Sequence, residues 1–206
     1  MLIDERTYGE YLSSLLAGRR SDCAKTVGTL LDTDIEVRTL YLELFQRSMY
    51  AVGDLWERNK ISVATEHLAT SITESLLALV YPRLFSAGHK DKSVVVSSGA
   101  NEFHQIGGRM VADMFELNGW HSHFVGANTP VDALTSLIEE KQPDLLALSL
   151  SVYHNLEPFH QALTQVANAF PSLPVIVGGQ AFRWGNSDMA VRFPQVQILG
   201  TMEQLE

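Results

Sequence analysis

Apolar residues recur at helical spacing through the first 85 residues of the chain. Four segments carry such a stripe, at residues 4–17, 21–31, 37–56 and 61–85. In the last segment, the residues expected to face the core are Leu68, Ile72, Leu76, Leu79 and Val80. Because amphipathic helices joined by short turns are typical of an antiparallel bundle, the pattern predicts a four-helix bundle over residues 1–86.

The pattern changes beyond a small, polar stretch at residues 86–92. Short apolar runs then predict strands at residues 93–97, 121–125, 145–150, 175–177 and 196–199. Between them, helices are expected at residues 104–117, 131–140 and 156–169, with a weaker one near 187–193. This alternation predicts an α/β unit over residues 93–206, built on a five-stranded, parallel, Rossmann-like sheet.

Open parallel sheets bind their ligands at the carboxyl ends of the strands. The residues that fall on the predicted strand ends are Glu102, His104, Gly126, Ser149, Ser151, Gly178 and Gly179. Each of them taken singly has a structural explanation, since a lone histidine often caps a helix and a glycine pair often forms a turn. Their common placement indicates one candidate site at that edge of the sheet.

The spacing of three of these elements resembles the cobalamin-binding domain family, whose usual pattern is Asp-x-His-x-x-Gly, Ser-x-Leu and Gly-Gly. Here 41 residues (108–148) separate the first element from the second, and 26 residues (152–177) separate the second from the third. The elements are Glu102-x-His104-x-x-Gly107, Ser149-x-Ser151 and Gly178-Gly179. The resemblance covers about residues 93–200, and the helical half is similar to the helical cap of the same proteins.

This resemblance implies a bound cobalamin whose cobalt takes His104 as its lower axial ligand. It also implies that Glu102 accepts a hydrogen bond from the other ring nitrogen and that Ser149 continues the chain of hydrogen bonds. Room for the nucleotide tail of the cofactor is attributed to Gly107, Gly178 and Gly179. Glu102 and Ser151 stand where the family has Asp and Leu.

In the helical half, Trp56 and the pair Glu66-His67 resemble a motif of light-sensing regulators that hold adenosylcobalamin. In those proteins the three side chains surround the upper axial adenosyl group, and the resemblance implies the same roles here. The regulators have a histidine directly after the tryptophan, whereas Glu57 stands at that position in this chain. Taken alone, Trp56 could equally be the last core residue of its stripe, with Glu66 and His67 solvated.

Composition restricts the remaining classes of function. The chain has 15 Lys and Arg against 24 Asp and Glu, a net charge of −9, which argues against direct binding of nucleic acid. Its single cysteine, Cys23, excludes an internal disulfide and suits a reducing compartment. No signal peptide and no apolar segment of roughly 20 residues is apparent, so we expect a cytoplasmic protein without membrane contact.

The expected function is therefore a non-enzymatic cobalamin sensor, an adenosylcobalamin-based photoreceptor or regulator. It would signal through a protein partner or an effector domain outside this chain, with a homo-oligomer as a further possibility. A corrinoid methyl-carrier subunit of a methyltransferase system is one alternative. A sensor of another tetrapyrrole, such as a bilin, is the other, with Cys23 a weak candidate for its attachment because it is expected to pack inside the second helix. The pair His121-x-His123 is a weak candidate for a zinc site.

Overall fold

The structure is a computed structural model, and it describes residues 2–86, 88–99, 101–182 and 192–205. The chain divides into two compact units, Met1–Phe85 and Ser86–Glu206. The helix expected at residues 187–193 lies mostly outside the described residues. None of the helices in the described ranges combines the length and the apolar character needed to span a membrane.

The first unit is helical, and its helices are α1 (Glu5–Leu16), α2 (Arg20–Leu31), α3 (Val37–Leu40), α4 (Arg47–Glu57) and α5 (Val63–Val80). A π-helical stretch, Tyr41–Gln46, joins α3 to α4 with helical backbone angles, so the third expected helix is continuous. A short 3₁₀ helix, Tyr81–Ser86, follows α5. The predicted four-helix organisation is confirmed.

Two of the helix starts are fixed by side-chain caps. The Asp4 carboxylate accepts hydrogen bonds from the backbone N–H groups of Arg6 and Thr7 at the start of α1. The Ser62 hydroxyl accepts from the N–H of Thr65 at the start of α5. Both caps satisfy N–H groups that have no partner within the helix.

The expected buried face of α5 was partly wrong. Ile72, Leu76 and Val80 are buried as predicted, but Leu68 and Leu79 are exposed. The helix advances by about 100° per residue, and these two leucines lie just outside the edge of the buried arc. Because α5 carries apolar and small residues on more than one face, the hydrophobic pattern did not single out the face that packs.

The second unit is a five-stranded parallel sheet in the order β2-β1-β3-β4-β5. Its strands are β1 (Ser93–Ser98), β2 (His121–Gly126), β3 (Leu145–Ser149), β4 (Val175–Gly178) and β5 (Val196–Ile198). The helices between them are α6 (Ile106–Leu117), α7 (Val131–Lys141) and α8 (Leu156–Ala169). This topology confirms the predicted Rossmann-like sheet.

Apolar side chains cover both faces of the sheet. Val94 and Val96 pack with Ala112 of α6 on one face. Val95 of the same strand lies in the larger core on the other face. That core also contains residues of α7 and α8, among them Leu134, Ile138, Phe159 and Leu163. Burial on both faces explains why the strands appear in the sequence as continuous apolar runs.

The strand ends lie in line. Ser98 of β1 pairs with Ser149 of β3, which in turn pairs with Gly178 of β4. Three neighbouring strands therefore finish at one edge of the sheet with small residues, which leaves room for the loops that follow them.

A matched pair of leucines on α5 tests the assignment of its buried face. Leu76 is 4% exposed and Leu79 is 45% exposed. We expect Leu76→Ala to lower the free energy of unfolding by about 2–4 kcal/mol, because it leaves a cavity. Leu79→Ala should change it by less than about 1 kcal/mol. Urea unfolding followed by circular dichroism measures both, and equal losses would contradict the assignment.

Candidate functional site

The carboxyl edge of the sheet holds a carboxylate that is fully buried: Glu102, in the loop between β1 and α6. Its Oε1 accepts the backbone N–H of His104 at 2.9 Å and lies 2.6 Å from the Nδ1 atom of the same residue. Its Oε2 accepts the backbone N–H groups of Ser151 at 2.8 Å and Val152 at 3.1 Å. One carboxylate thus joins the β1–α6 loop to the β3–α8 loop.

The electrostatics of this pair determine which ring nitrogen can bind a metal. Burial raises the pKa of the Glu102 carboxyl, but the hydrogen bonds from His104, Val152 and Ser151 outweigh it, so the pKa lies below the ordinary glutamate range. The carboxylate is therefore ionised at neutral pH and can only accept hydrogen bonds, which makes His104 Nδ1 the donor. Nε2 then carries the lone pair of the ring. The His104 side chain is 54% exposed, so the imidazole is accessible.

The first turn of α6 carries two glycines and lies close to the strand ends. A Cβ on Gly107 would lie 3.8 Å from the Ser149 hydroxyl oxygen. A Cβ on Gly108 would lie 3.3 Å from the Phe124 ring and 3.7 Å from Ser149 Cβ. The Ser98 hydroxyl, on the neighbouring strand, donates to the His104 carbonyl at 3.1 Å. Ser149 and Gly107, two predicted site residues, are thus neighbours.

The two glycines at the carboxyl end of β4 differ from each other. Gly179 has a φ of +117°, and a Cβ there would overlap the carbonyl oxygen of Leu150. Gly178 lacks this constraint, since a Cβ would lie 3.4 Å from the carbonyl oxygen of Leu199, an ordinary contact. Gly179 is therefore required by the turn itself, whereas Gly178 leaves space beside Ser149.

Three asparagines that the sequence analysis did not single out connect the loops at this edge. The Asn101 N–H donates to Asn128 Oδ1, the Asn128 N–H donates to the Glu102 carbonyl, and Asn155 Nδ2 donates to the Asn101 carbonyl. The sequence does mark two of them, Asn101 and Asn128. The tripeptide Gly-Ala-Asn occurs at the ends of both β1 (99–101) and β2 (126–128).

The three site residues predicted in the helical unit are described separately. Trp56 lies in the last turn of α4 and is 46% exposed, which rules out the alternative that it is a core residue. Glu66, in the first turn of α5, lies 2.7 Å from His67 Nδ1 through Oε2 and accepts the Thr70 hydroxyl through Oε1. Glu66 is largely buried and His67 is exposed. Both carboxylate oxygens of Glu66 are therefore held in a fixed orientation.

Two other candidates from the sequence lose support, namely Cys23 as an attachment point for a chromophore and the pair His121-x-His123 as a zinc site. Cys23 is fully buried and burial raises the pKa of its thiol, which opposes attachment of a chromophore. His121 stacks on His89 with ring centroids 4.4 Å apart. Throughout the part of the chain that the structure describes, no three His, Cys, Asp or Glu side chains come together as a metal site.

Comparison with protein families gives two matches. A family model described as a B12 binding domain matches residues 92–203, and a second model with that description matches residues 8–81.

Among characterised proteins, the chain is 30% identical to the HTH-type transcriptional repressor CarA of Myxococcus xanthus over 125 residues, covering 60% of this chain and 43% of CarA. It is 26% identical to the repressor CarH of the same organism over 185 residues, covering 87% of this chain and 61% of CarH. The chain therefore spans less than two thirds of the length of either relative.

Solved structures share the fold. The monomethylamine corrinoid protein of Methanosarcina barkeri superposes with a TM-score of 0.82 at 13% identity, over 98% of this chain and 96% of that chain. A cobalamin-binding protein from Desulfitobacterium hafniense gives a TM-score of 0.50 at 18% identity, over 99% of this chain and 96% of that chain. At these identities the likeness concerns the fold alone.

Gly178, the last residue of β4, and Gly179, which follows it, allow a paired test of their different roles. Gly179→Ala should lower the free energy of unfolding by about 1–3 kcal/mol or more, because it forces an L-residue into a left-handed conformation against Leu150. Gly178→Ala should cost less than about 1 kcal/mol. Thermal unfolding of the ligand-free protein measures both. A larger loss for Gly178→Ala would overturn the distinction.

Proposed function

The chain belongs to the B12-binding domain family and binds a corrinoid, and from this premise we propose that it is an adenosylcobalamin-based sensor, a photoreceptor or regulator without enzymatic activity. The observation that carries the proposal is the contact between His104 and the buried Glu102 carboxylate. His104 Nε2 is the proposed lower axial ligand of the cobalt. Glu102 supports this role because a carboxylate on the second ring nitrogen fixes the tautomer and raises the basicity of the ligand.

The residues present fit this group. A corrin brings its own equatorial nitrogen ligands, so a single accessible imidazole is what the protein must add. Ser149 and Gly178 pair at the ends of adjacent strands, and Gly107 lies beside Ser149. These small residues support a path for the nucleotide tail. The contribution of Gly179 is to the turn. Ser151 holds Glu102 through its backbone N–H.

Trp56, Glu66 and His67 are the proposed residues for the upper axial group. The exposed indole of Trp56 offers a flat apolar surface, and Glu66 and His67 offer polar atoms already oriented toward each other. Adenosylcobalamin, when bound, supplies a cobalt–carbon bond that light can cleave. The protein residues on this side select the upper group and respond to its loss.

Output through a protein contact is the proposed route of signalling. The net charge of −9 opposes direct contact with nucleic acid. The relatives CarA and CarH are named as HTH-type repressors, and this chain covers only part of each. A protein partner, an effector domain outside this chain, or self-association in the cytoplasm is therefore proposed.

A corrinoid methyl carrier is the second candidate. Glu57 favours it, because light-sensing regulators have a histidine at this position after the tryptophan. The two functions differ in the upper group that the protein must accommodate, adenosyl for the sensor and methyl for the carrier.

His104→Ala tests the lower ligand. We expect the affinity for hydroxocobalamin to fall at least about tenfold, since the coordinating nitrogen is removed. His121→Ala, which removes a histidine from the opposite end of a strand, is the control and should bind like the wild type. Equilibrium dialysis gives the affinities and the absorption spectrum gives the ligation state. Unchanged affinity and spectrum in His104→Ala would reject the assignment.

The upper group separates the sensor from the carrier. In the dark, the wild type should bind adenosylcobalamin several-fold more tightly than methylcobalamin, and Trp56→Ala should remove most of this preference. Tyr81→Ala, which also truncates an exposed aromatic side chain of the helical unit, should keep it. The ratio of the two dissociation constants is the measured quantity.

Illumination of the same samples provides a second measurement that separates the sensor from the carrier. A sensor should change its absorption spectrum and its elution volume or partner binding after green light. A wild type that has no preference for the adenosyl form, or that shows no change in assembly after illumination, favours the carrier instead.

A further inference from the structure

Asn128 lies in the loop between β2 and α7. It contacts the β1–α6 loop, which carries His104 and is called the histidine loop below, at two places. We propose that Asn128 is a positioning residue for His104, holding the β1–α6 loop so that the imidazole stands where a cobalt can bind it. This inference rests on the proposed role of His104 as the lower axial ligand. Asn128 would act on the ring indirectly, through its hydrogen bonds to the backbone of the β1–α6 loop.

The two contacts form a reciprocal pair. The Asn128 side chain accepts the backbone N–H of Asn101 at 2.9 Å through Oδ1. The Asn128 backbone N–H donates to the carbonyl oxygen of Glu102 at 2.8 Å. Successive residues of the histidine loop are thus bound to a single residue of the neighbouring loop. Such a pair fixes both the distance and the direction of the loop.

The backbone conformation explains why asparagine stands at this position. Asn101 has a φ of +64° and Asn128 a φ of +52°, both in the left-handed region. Glycine enters this region most easily, and asparagine is among the few other residues that do so routinely. Glycine, however, has no side-chain oxygen. Asparagine combines the required φ with the acceptor that Asn101 needs.

The histidine loop is held on its other side by the β3–α8 loop. Asn155 Nδ2 donates to the Asn101 carbonyl at 3.0 Å, and the N–H groups of Ser151 and Val152 donate to Glu102 Oε2. Without the Asn128 acceptor, the β2–α7 loop keeps one of its two bonds to the histidine loop, from the backbone N–H of residue 128 to the Glu102 carbonyl, while the contacts from the β3–α8 loop are unchanged. The contact between Glu102 and His104 lies within the loop and moves with it. Loss of Asn128 should therefore displace the imidazole while keeping its hydrogen bond to Glu102.

Two variants separate the backbone conformation from the hydrogen bond. Asn128→Gly keeps access to positive φ and removes the acceptor. Asn128→Asp keeps an oxygen acceptor and also tolerates positive φ. Because Asn128 is exposed, the added charge is screened by solvent. If Asn128 positions the loop through its side chain, the Asp variant retains the wild-type behaviour and the Gly variant loses it.

The experiment uses the full chain labelled with nitrogen-15 histidine and loaded with cob(II)alamin, obtained by reducing hydroxocobalamin. Electron paramagnetic resonance then distinguishes a nitrogen-15 doublet from a protein histidine and a nitrogen-14 triplet from the cofactor's own base. Wild type and His104→Ala set the two limits. We expect Asn128→Gly to lower the ratio of histidine-ligated to histidine-free cofactor about tenfold and Asn128→Asp to stay near the wild type.

A wild type without the doublet rejects the proposed role of His104. The positioning role of Asn128 is then read from the ring nitrogen signals of His104 in the cobalamin-free protein by nitrogen-15 NMR, which should shift in Asn128→Gly and remain in place in Asn128→Asp. With the doublet present, a wild-type ratio in Asn128→Gly overturns the inference, and so does an equal loss in both variants.

Discussion

The buried carboxylate of Glu102 is the group on which the arrangement of the site depends. An ionised group without access to water is costly unless hydrogen bonds surround it, and its donors come from two loops that follow different strands. The β1–α6 loop must therefore lie beside the β3–α8 loop, and the His104 ring must present Nδ1 to the carboxylate. The family pattern has Asp at this position. The extra methylene of Glu102 still leaves one oxygen for the histidine and one for the neighbouring loop.

The sheet contributes small residues at the places where these loops cross its edge. Ser98, Ser149 and Gly178 stand in register on three adjacent strands, and Gly107 and Gly108 open the helix that packs beside them. A Cβ at Gly108 would lie 3.3 Å from the Phe124 ring, so a larger side chain there would press on that ring. The proposed path of the nucleotide tail runs along the same small residues. One set of residues would therefore serve both the packing of the loops and the binding of the ligand.

The strands and most helices could be predicted because burial on both sheet faces leaves apolar runs, and small polar residues separate them. The candidate site on the sheet could be located because parallel strands end at one edge, which brings Glu102 and Ser151 together from distant segments. Leu79 was predicted to be buried and is exposed, because α5 is apolar on more than one face. Periodicity alone therefore did not identify the face of α5 that packs against the rest of the helical unit. Asn128 was missed for a different reason. A hydrogen bond between two loops has no period, and only the recurrence of Gly-Ala-Asn after two strands marks it.

The π-helical stretch Tyr41–Gln46 bears on how far a change in chain length is felt along the helical unit. Pairing of each residue with the fifth one along, rather than the fourth, accommodates one additional residue within a continuous helix. Each residue turns an α-helix by about 100°, so an additional residue in a regular helix would rotate everything after it, whereas the wider turn takes that residue up. Removal of one residue there would restore regular pairing and leave the end of α4 facing the same way. The direction in which Trp56 points is thus insulated from a change in chain length ten residues or more upstream.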